Sequence, residues 1–397
     1  MSFQRGALGA TIVLLVASLA VYLSSPVTRP AELAAVKRAG VFPHLPTSGS
    51  SASTSHPIRD LEVPGGSLPR SNNVYAATMS TVVSPSLAGF KERVYVPNSN
   101  ANTVDVIDPA TFKVIDQYPV GAIPHHIAPA YDMHELYVDN EGSSSLTVID
   151  PDTGRPKGSI PVSFPYNLYV TPDGKQAIVV VERLNRIDFR DPHTWQLLKT
   201  VDIPWRGIDH MDFSADGSYL LASTEYTGVL VRIDVNSMQI TGSLDVGGLP
   251  IDVRLAPDGS VFYVTNQGRD GVSIVDGNEM KEVGFIPTGR GAHGLQVSRD
   301  TQLLYVSNRY AGSISVIDFA ERKLLVTWPV GGSPDMLQLS PDGSQLWFTN
   351  RYNASVTVVE TDTGKVLARI PVGSGDHGLT YFPNVGRYST GHNGVYR

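Results

Sequence analysis

Cysteine is absent from this 397-residue chain, which excludes disulfide bonds, thiolate metal ligands and a lipid-modified cysteine. Clusters of basic residues are also lacking, and 31 Lys and Arg are outnumbered by 38 Asp and Glu, for a formal net charge of -7. A surface that binds phosphate backbones needs such clusters, so we expect no nucleic acid partner. After residue 40, no long run has apolar residues at the helical spacing, which argues against α-helices.

Turn-forming residues are abundant instead, with 37 Gly and 28 Pro in the chain. Apolar residues make up 41% and charged residues 17%, as is usual for a globular protein. Many short strands joined by tight turns fit this composition, so the sequence predicts an all-β fold.

The N-terminal residues 1–23 form an apolar segment behind a single basic residue, Arg5. Ser18 and Ala20 fit a cleavage site, which favours a signal peptide. The apolar run nevertheless continues to Leu23, which favours an uncleaved anchor in the cytoplasmic membrane. Either alternative predicts that the rest of the chain is extracytoplasmic: periplasmic, in the cell envelope or secreted.

Residues 24–72 are rich in Ser, Pro, Gly, Ala and Thr, as in HLPTSGSSASTSHP at residues 44–57. Such a composition buries too little apolar surface to order itself, so we expect a disordered linker. The folded domain is therefore expected to span residues 73–397.

A repeated phrase runs through this domain, exemplified by VFYVTNQGRDGVSIVD from Val261 to Asp276. Its copies lie about 42 residues apart and close on an acidic residue, at Asp108, Asp150, Asp191, Asp234, Asp276, Asp318 and Glu360. Between them recur turns such as Thr171-Pro172-Asp173-Gly174, in which Asp bonds local backbone and Gly takes a positive φ. Each unit has room for four strands, and such units bury their faces by stacking around an axis. The sequence therefore predicts a β-propeller.

The phrase Tyr263-Val264-Thr265-Asn266 and its copies resemble the YVTN β-propeller family over residues 74–397. The third and fourth copies depart from the motif, with Val179 to Glu182 and Leu221 to Thr224 in its place. The resemblance implies an exported or surface-attached microbial protein. It also implies similarity to the propeller domains of cytochrome cd1 nitrite reductase and nitrous oxide reductase.

The number of blades stays open between seven and eight. Seven complete units run over residues 79–372, and residues 376–397 add one more inner strand and a hairpin. Residues 72–79 could supply an outer strand for that extra blade, and the strand count weakly favours eight. If the last inner strand completes the first blade instead, the count is seven, as is usual in the family.

Histidines and carboxylates collect just before the inner strands, where the repeats stop agreeing with one another. Inner strands line the channel of a propeller, and binding sites form where their ends meet at one mouth. The candidate ligand-binding residues are His125, His126, Tyr166, Asn167, Asp209, His210, Asp252, His293, Asp335, Asp376 and His377.

Three interpretations of this cluster remain open. Imidazoles and carboxylates at one mouth could hold a transition metal or a haem-type cofactor, with His126, His210, His293 and His377 as candidate metal ligands. They could bind a polar small molecule, or they could only stabilise turns by hydrogen bonds. The resemblance bears on two of these interpretations. Nitrous oxide reductase holds copper with histidines that include an adjacent pair, as His125 and His126 are here, whereas a histidine before the inner strand is common in YVTN-like repeats and there stabilises a turn.

No catalytic motif such as Gly-x-Ser-x-Gly, His-Glu-x-x-His or a P-loop occurs in the sequence, which weighs against an enzyme. The primary hypothesis is therefore a membrane-tethered propeller that acts as a binding or scaffolding module for a protein or small ligand. The alternative is a metal- or haem-binding propeller with a redox-linked role. A metal-dependent hydrolase or lactonase is a third hypothesis.

Overall fold

Seven antiparallel sheets of four strands each make up the part of the chain that our computed structural model describes, residues 73–397. Blade 1 contains β1 (Arg93–Asn98), β2 (Thr103–Asp108), β3 (Lys113–Pro119) and the late strand β28 (Thr380–Phe382). Blade 2 contains β4 (Pro124–Pro129), β5 (Leu136–Asn140), β6 (Ser145–Asp150) and β7 (Arg155–Pro161). Blade 3 contains β8 (Asn167–Val170), β9 (Ala177–Val181), β10 (Arg186–Arg190) and β11 (Leu197–Asp202).

The remaining four blades follow the same order from inner to outer strand. Blade 4 contains β12 (Ile208–Phe213), β13 (Tyr219–Thr224), β14 (Val229–Asp234) and β15 (Gln239–Asp245). Blade 5 contains β16 (Pro250–Leu255), β17 (Phe262–Asn266), β18 (Gly271–Asp276) and β19 (Lys281–Pro287). Blade 6 contains β20 (Ala292–Val297), β21 (Leu303–Asn308), β22 (Ser313–Asp318) and β23 (Lys323–Pro329). Blade 7 contains β24 (Pro334–Leu339), β25 (Gln345–Asn350), β26 (Ser355–Glu360) and β27 (Val366–Pro371).

The repeated phrase forms the two middle strands of each blade, as the sequence predicts. In blade 5, β17 and β18 pair in register from Phe262 opposite Val275 to Asn266 opposite Gly271. The closing Asp276 accepts a hydrogen bond from the Asn278 amide and so builds the following turn. The all-β propeller is thereby confirmed, and helical structure in residues 73–397 is confined to four short 3-10 turns, at Ala76–Met79, Glu141–Ser143, Glu182–Leu184 and Glu225–Thr227.

The ring is closed by β28, which pairs with β1 as the inner strand of blade 1, with Tyr95 opposite Thr380. The blade count is therefore seven, the alternative that the sequence left open, and not the eight that the strand count favoured. Residues 73–79 do not supply an outer strand. Instead the Tyr75 hydroxyl reaches the Leu255 carbonyl and Asp212, at the channel end where β12 and β16 finish.

The core lies between adjacent blades, where the apolar faces of neighbouring sheets meet. One such cluster joins Tyr169, Ile178 and Phe189 of blade 3 to Met211 and Phe213 of blade 4. This packing buries each blade on both faces and leaves the outermost strands, such as β7, mainly exposed.

A hairpin of residues 388–397 runs inside the central channel. Its two arms pair through hydrogen bonds from the Thr390 amide to the Val395 carbonyl and from the Arg397 amide to the Tyr388 carbonyl. The His392 amide bonds the Leu168 carbonyl of β8, so the hairpin adds to the inner edge of blade 3. Gly391 has a φ of +91°, and a Cβ there would strike the Leu168 backbone, so this contact requires glycine.

The predicted N-terminal segment and linker, residues 1–72, lie outside the described residues. Within residues 73–397, no helix has both the length and the apolar character needed to cross a membrane.

A bridge between blades recurs at one position of the second strand. The hydroxyls of Ser223 and Ser307 donate to the Ile251 and Asp335 carbonyls of the next inner strand, and Thr265 and Thr349 do the same in their blades. Blade 2 carries Asp139 at this position. Both of its carboxyl oxygens are buried without a hydrogen-bond partner in the described structure, and burial raises its pKa well above the usual value.

We expect Asp139→Thr to stabilise the protein, because it restores the hydroxyl bridge and removes a buried acid. A raised folded-state pKa stabilises the fold fully below the unfolded pKa of about 4, and this stability is lost as the pH rises towards the folded pKa. At pH 7 the variant should therefore gain about 1–3 kcal/mol in the free energy of unfolding, measured in urea. The gain should grow between pH 5 and pH 8.

Asp202→Thr is the matched control, since Asp202 is exposed on the outer strand β11. It should change stability by less than about 0.5 kcal/mol at either pH. A gain for Asp139→Thr that does not vary with pH would argue against a protonated Asp139.

Candidate functional site

The candidate residues lie in the first half of the inner strand or, in blades 1 and 3, also just before it, and a β-bulge lies there in five of the blades. The ladder between inner and second strand shifts register from Pro124 to Ile127 in blade 2 and from Ile208 to Met211 in blade 4. The same shift recurs in blades 5, 6 and 7. A bulge re-aims side chains that strict alternation would send to opposite faces. Two adjacent residues per strand can therefore contribute to one site.

Three histidines form the first cluster, which lies at the tip of the channel hairpin. His126 of β4, His210 of β12 and His392 of the hairpin offer ring nitrogens that all lie within 4.8 Å of one another. Their ring centroids are 5.3 Å apart for His126 and His210, and 4.7 Å for His210 and His392. All three side chains are buried. Three imidazoles grouped in this way could hold a metal ion.

Each of these histidines has a side-chain partner near its Nδ1. His126 Nδ1 lies 3.2 Å from Asn393 Oδ1, and His210 Nδ1 lies 2.9 Å from Asp209 Oδ1. His392 Nδ1 lies 2.9 Å from the Asn167 amide nitrogen. Histidines that bind metals usually have such a partner on the nitrogen remote from the metal, which fixes the ring. Nε2 is then the nitrogen that His126 and His210 offer to a ligand. In His392 the Asn167 amide donates to Nδ1, so the proton of that neutral ring is on Nε2 and the ring must turn to offer a lone pair.

A second cluster, His293, Asp335 and His377, lies next to the first. The ring centroids of His126 and His377 are 4.5 Å apart. Here a cation is already present, because the Arg309 guanidinium donates to Asp335 Oδ1 at 2.6 Å and also contacts His293 Nε2. His293 Nδ1 in turn lies 2.7 Å from Asp335 Oδ1. The second cluster is thus partly neutralised by the protein itself.

His125 connects this site to an acidic residue at the end of β5. Its Nε2 lies 3.2 Å from Glu141 Oε2, and its Nδ1 lies 3.4 Å from the Nδ1 of His377. The Tyr166 ring packs against His125 at a centroid distance of 4.9 Å. Glu141 also receives the Arg183 guanidinium at 3.2 Å.

Protonation of the histidines follows from burial and from their neighbours. Burial lowers the pKa of His126, His377 and His392 well below the usual value, so these imidazoles are neutral. Burial acts in the same direction on His210, but the Asp209 carboxylate outweighs it and raises the pKa of His210. A metal at His210 would therefore displace a proton.

The pKa values of the carboxyl groups also depend on burial and on neighbouring charges. Burial acts to raise the pKa of Asp335, yet the Arg309 guanidinium holds that pKa well below its usual range, so Asp335 is ionised. Asp376 is buried and accepts a hydrogen bond from the Asn350 amide at 2.9 Å. Burial raises the pKa of Asp376 to about 8.

The two clusters contain five of the eleven sequence-predicted residues, namely His126, His210, His293, Asp335 and His377. Asp252 approaches the first cluster with its Oδ1 3.8 Å from His392 Nε2, and it also pairs with Arg254 at 3.5 Å. Asp376 belongs to neither cluster and pairs by a β-bridge with Asn98 of blade 1. Asn167 contacts the first cluster at His392 Nδ1, and Asp209 contacts it at His210 Nδ1.

Three residues of the site were missed at the sequence level: His392, Asn393 and Arg309. His392 and Asn393 belong to the hairpin, which lies outside the repeat and so has no equivalent position to align. Arg309 follows the middle-strand motif directly, at the position that Glu141, Glu182, Glu225 and Arg351 occupy in other blades. The variation of charge at that position was the available signal.

Comparison with known proteins places this fold in a family. A family model described as YNCE-like beta-propeller matches residues 64–387. No curated protein matches the chain.

Solved structures with a similar fold include proteins of several kinds. A chain of Kuenenia stuttgartiensis hydrazine synthase is 22% identical with a TM-score of 0.61, and the match covers 72% of this chain and 98% of that one. Dihydro-heme d1 dehydrogenase NirN in complex with DHE is 16% identical with a TM-score of 0.57, over 72% of this chain and 74% of that one. A putative 6-phosphogluconolactonase from Bacteroides uniformis is 16% identical with a TM-score of 0.62, over 73% and 99%. At these identities the likeness shows the fold alone.

Proposed function

This chain belongs to the YNCE-like beta-propeller family, and we propose that within this fold it binds a transition-metal ion through His126, His210 and His392. One observation carries the proposal. The Nε2 atoms of His126 and His210 are buried and have no hydrogen-bond partner among the described residues. Unsatisfied buried polar atoms are costly, and a shared ligand removes that cost for both at once.

The chemistry of the three ligands favours zinc, copper or another first-row ion that suits imidazole. The three imidazoles lie on separate elements, two inner strands and the hairpin, and no fourth ligand joins them among the described residues. Three protein ligands that leave one position open are typical of sites that bind a further molecule at the metal. The Asp209 carboxylate supplies one negative charge close to the ion through His210.

A haem-type cofactor fits the channel poorly. The hairpin of residues 388–397 fills the space between the inner strands, and the cavities beside it measure about 30 Å³ and 10 Å³. Such volumes admit about one water molecule. We therefore favour an ion over a macrocycle, although one structural relative is described as a heme d1 dehydrogenase.

The wider role proposed here is that of an extracytoplasmic binding module, exported by residues 1–23. The open groove between blades 2 and 3 supports a ligand-binding role for the outer surface as well. It has a volume of about 980 Å³ and is lined by residues that include Tyr137 and Trp195. Aromatic side chains of this kind provide most of the contact energy in protein and small-molecule recognition.

We expect the full-length protein, stripped with a chelator and then dialysed against Zn²⁺ or Cu²⁺, to retain metal by elemental analysis and to melt at a higher temperature. Ligands that bind only the folded state stabilise it by mass action. The variant His126→Ala/His210→Ala should lose both the high-affinity metal and the increase in melting temperature.

His134→Ala/His193→Ala is the matched control, because it removes two histidines that lie at the surface. It should retain the metal. A wild-type protein that holds no metal and whose melting temperature ignores zinc, copper and cobalt would contradict the proposed function.

A further inference from the structure

Two buried acceptor atoms face each other beside the three-histidine cluster. His377 Nε2 and Asp335 Oδ2 lie 3.9 Å apart, and neither has a hydrogen-bond partner in the part of the chain that the structure describes. The His377 side chain is 4% exposed and that of Asp335 0%. Water therefore has little access to either atom, and both remain unsatisfied within the fold.

The hydrogen-bond chain behind His377 fixes which of its nitrogens carries the proton. A carboxylate oxygen only accepts, so His125 donates to Glu141 through Nε2. With the ring proton of His125 on Nε2, its Nδ1 accepts, and His377 donates to it through its own Nδ1 at 3.4 Å. This leaves the Nε2 of His377 with a lone pair and no proton, directed at the ionised Asp335.

The orientation of Asp335 is fixed in a similar way. Its Oδ1 is held by Arg309 at 2.6 Å and lies 2.7 Å from His293 Nδ1. Because both contacts use the same oxygen, Oδ2 is left over. Arg309 also donates to Nε2 of His293, so that nitrogen is occupied by the protein itself. His377 Nε2 and Asp335 Oδ2 thus face each other as two acceptors, and neither carries a proton that could form a hydrogen bond between them.

We propose that a second transition-metal ion binds between His377 Nε2 and Asp335 Oδ2, so that the channel holds a dinuclear centre. Metal–nitrogen and metal–oxygen bonds of about 2.0–2.2 Å together match the 3.9 Å separation at a wide ligand–metal–ligand angle. The ring of His377 lies 4.5 Å from that of His126, so the two ions are neighbours. Paired metal sites of this kind can clamp one small ligand between both ions.

The second site extends the proposed function and rests on it, because its ion completes a centre that the first ion begins. Arg309 makes the second site the weaker of the two. Its guanidinium lies on the same carboxylate and repels a cation there. The first equivalent of metal therefore occupies the three histidines, and the second fills the site of His377 and Asp335.

Titration of the full-length, metal-free protein with Cu²⁺ tests this order. We expect two equivalents to bind in the wild type, the second more weakly. The electron paramagnetic resonance spectrum should show isolated Cu²⁺ after one equivalent and coupled Cu²⁺ after two. His377→Ala should bind one equivalent and never show the coupled spectrum, and His377→Gln provides a second variant if the alanine variant does not fold. His193→Ala, which alters an exposed histidine, should bind two.

Failure of the second site and failure of the first give different results. Saturation of the wild type at one equivalent would overturn the second site and leave the first intact. So would a coupled spectrum that survives in both His377 variants. Binding of no copper at all would overturn the proposed function itself.

Discussion

Replacing Arg397 with alanine should lower the free energy of unfolding by about 3–5 kcal/mol. The Arg397 side chain is 2% exposed and donates to Asp212 Oδ1 at 2.6 Å and to the Phe213 carbonyl at 3.0 Å. Without the guanidinium, the Asp212 carboxylate stays buried, with the Phe213 amide on Oδ1 and the Leu255 amide and the Tyr75 hydroxyl on Oδ2. An uncompensated buried charge is among the largest single destabilising changes that a protein can undergo.

Denaturant unfolding with two reference variants checks this result. Arg206→Ala removes an exposed arginine and should change stability by less than about 0.5 kcal/mol. Asp212→Asn combined with Arg397→Ala should recover part of the loss, because the remaining side chain is then neutral. Equal losses in the single and double variants would show that packing, and not the charge, makes the contribution.

Since the hairpin also carries His392, Arg397→Ala should weaken metal binding as well.

Replacing Arg309 with methionine should have a comparable effect that depends on metal. In the metal-free protein, removal of the guanidinium leaves the ionised Asp335 buried beside His293 and His377, at an expected cost of about 3–5 kcal/mol in the free energy of unfolding. A metal ion at Asp335 and His377 would compensate that charge. The loss should therefore shrink on addition of Cu²⁺, and the second equivalent should bind more tightly than in the wild type.

Unfolding curves with and without Cu²⁺ separate the two contributions. Arg309→Lys keeps the positive charge but loses the planar guanidinium, so it should destabilise the metal-free protein less than Arg309→Met does. A loss for Arg309→Met that is the same with and without metal would mean that no ion reaches Asp335.

Most of the fold could be predicted from the sequence because it repeats. Seven copies of one phrase predict the same strands, turn and closing acid in each blade. Where one copy departs from the motif, the other copies still indicate where its strands lie. Thus Val179 to Glu182 depart from the motif, yet residues Ala177–Val181 still form β9. The blade count could not be settled in this way. Closure depends on whether β28 pairs with β1 or starts a new sheet, and this is a long-range choice that no local pattern encodes.

The candidate site could be predicted in part. Aligning the repeats finds His126, His210 and His377, because equivalent positions of the inner strands converge at one mouth. Alignment cannot find His392, whose position results from the hairpin turning back into the channel. Alignment also does not separate metal ligands from residues that support them. His293 and His377 occupy equivalent positions of their repeats, yet Arg309 donates to Nε2 of His293, whereas Nε2 of His377 has no hydrogen-bond partner among the described side chains.

The closure by β28 has a consequence for the order in which the molecule assembles. All of the blades except the first can complete their sheets from strands that precede residue 372 in the chain. The first blade, and with it the ring, must wait for residues 380–382, and the channel is filled only when residues 388–397 follow. A chain that emerges N-terminus first therefore passes through a stage with six complete sheets, one three-stranded sheet and no third histidine. Metal added at that stage would find an incomplete site, so loading is expected to follow ring closure rather than to guide it.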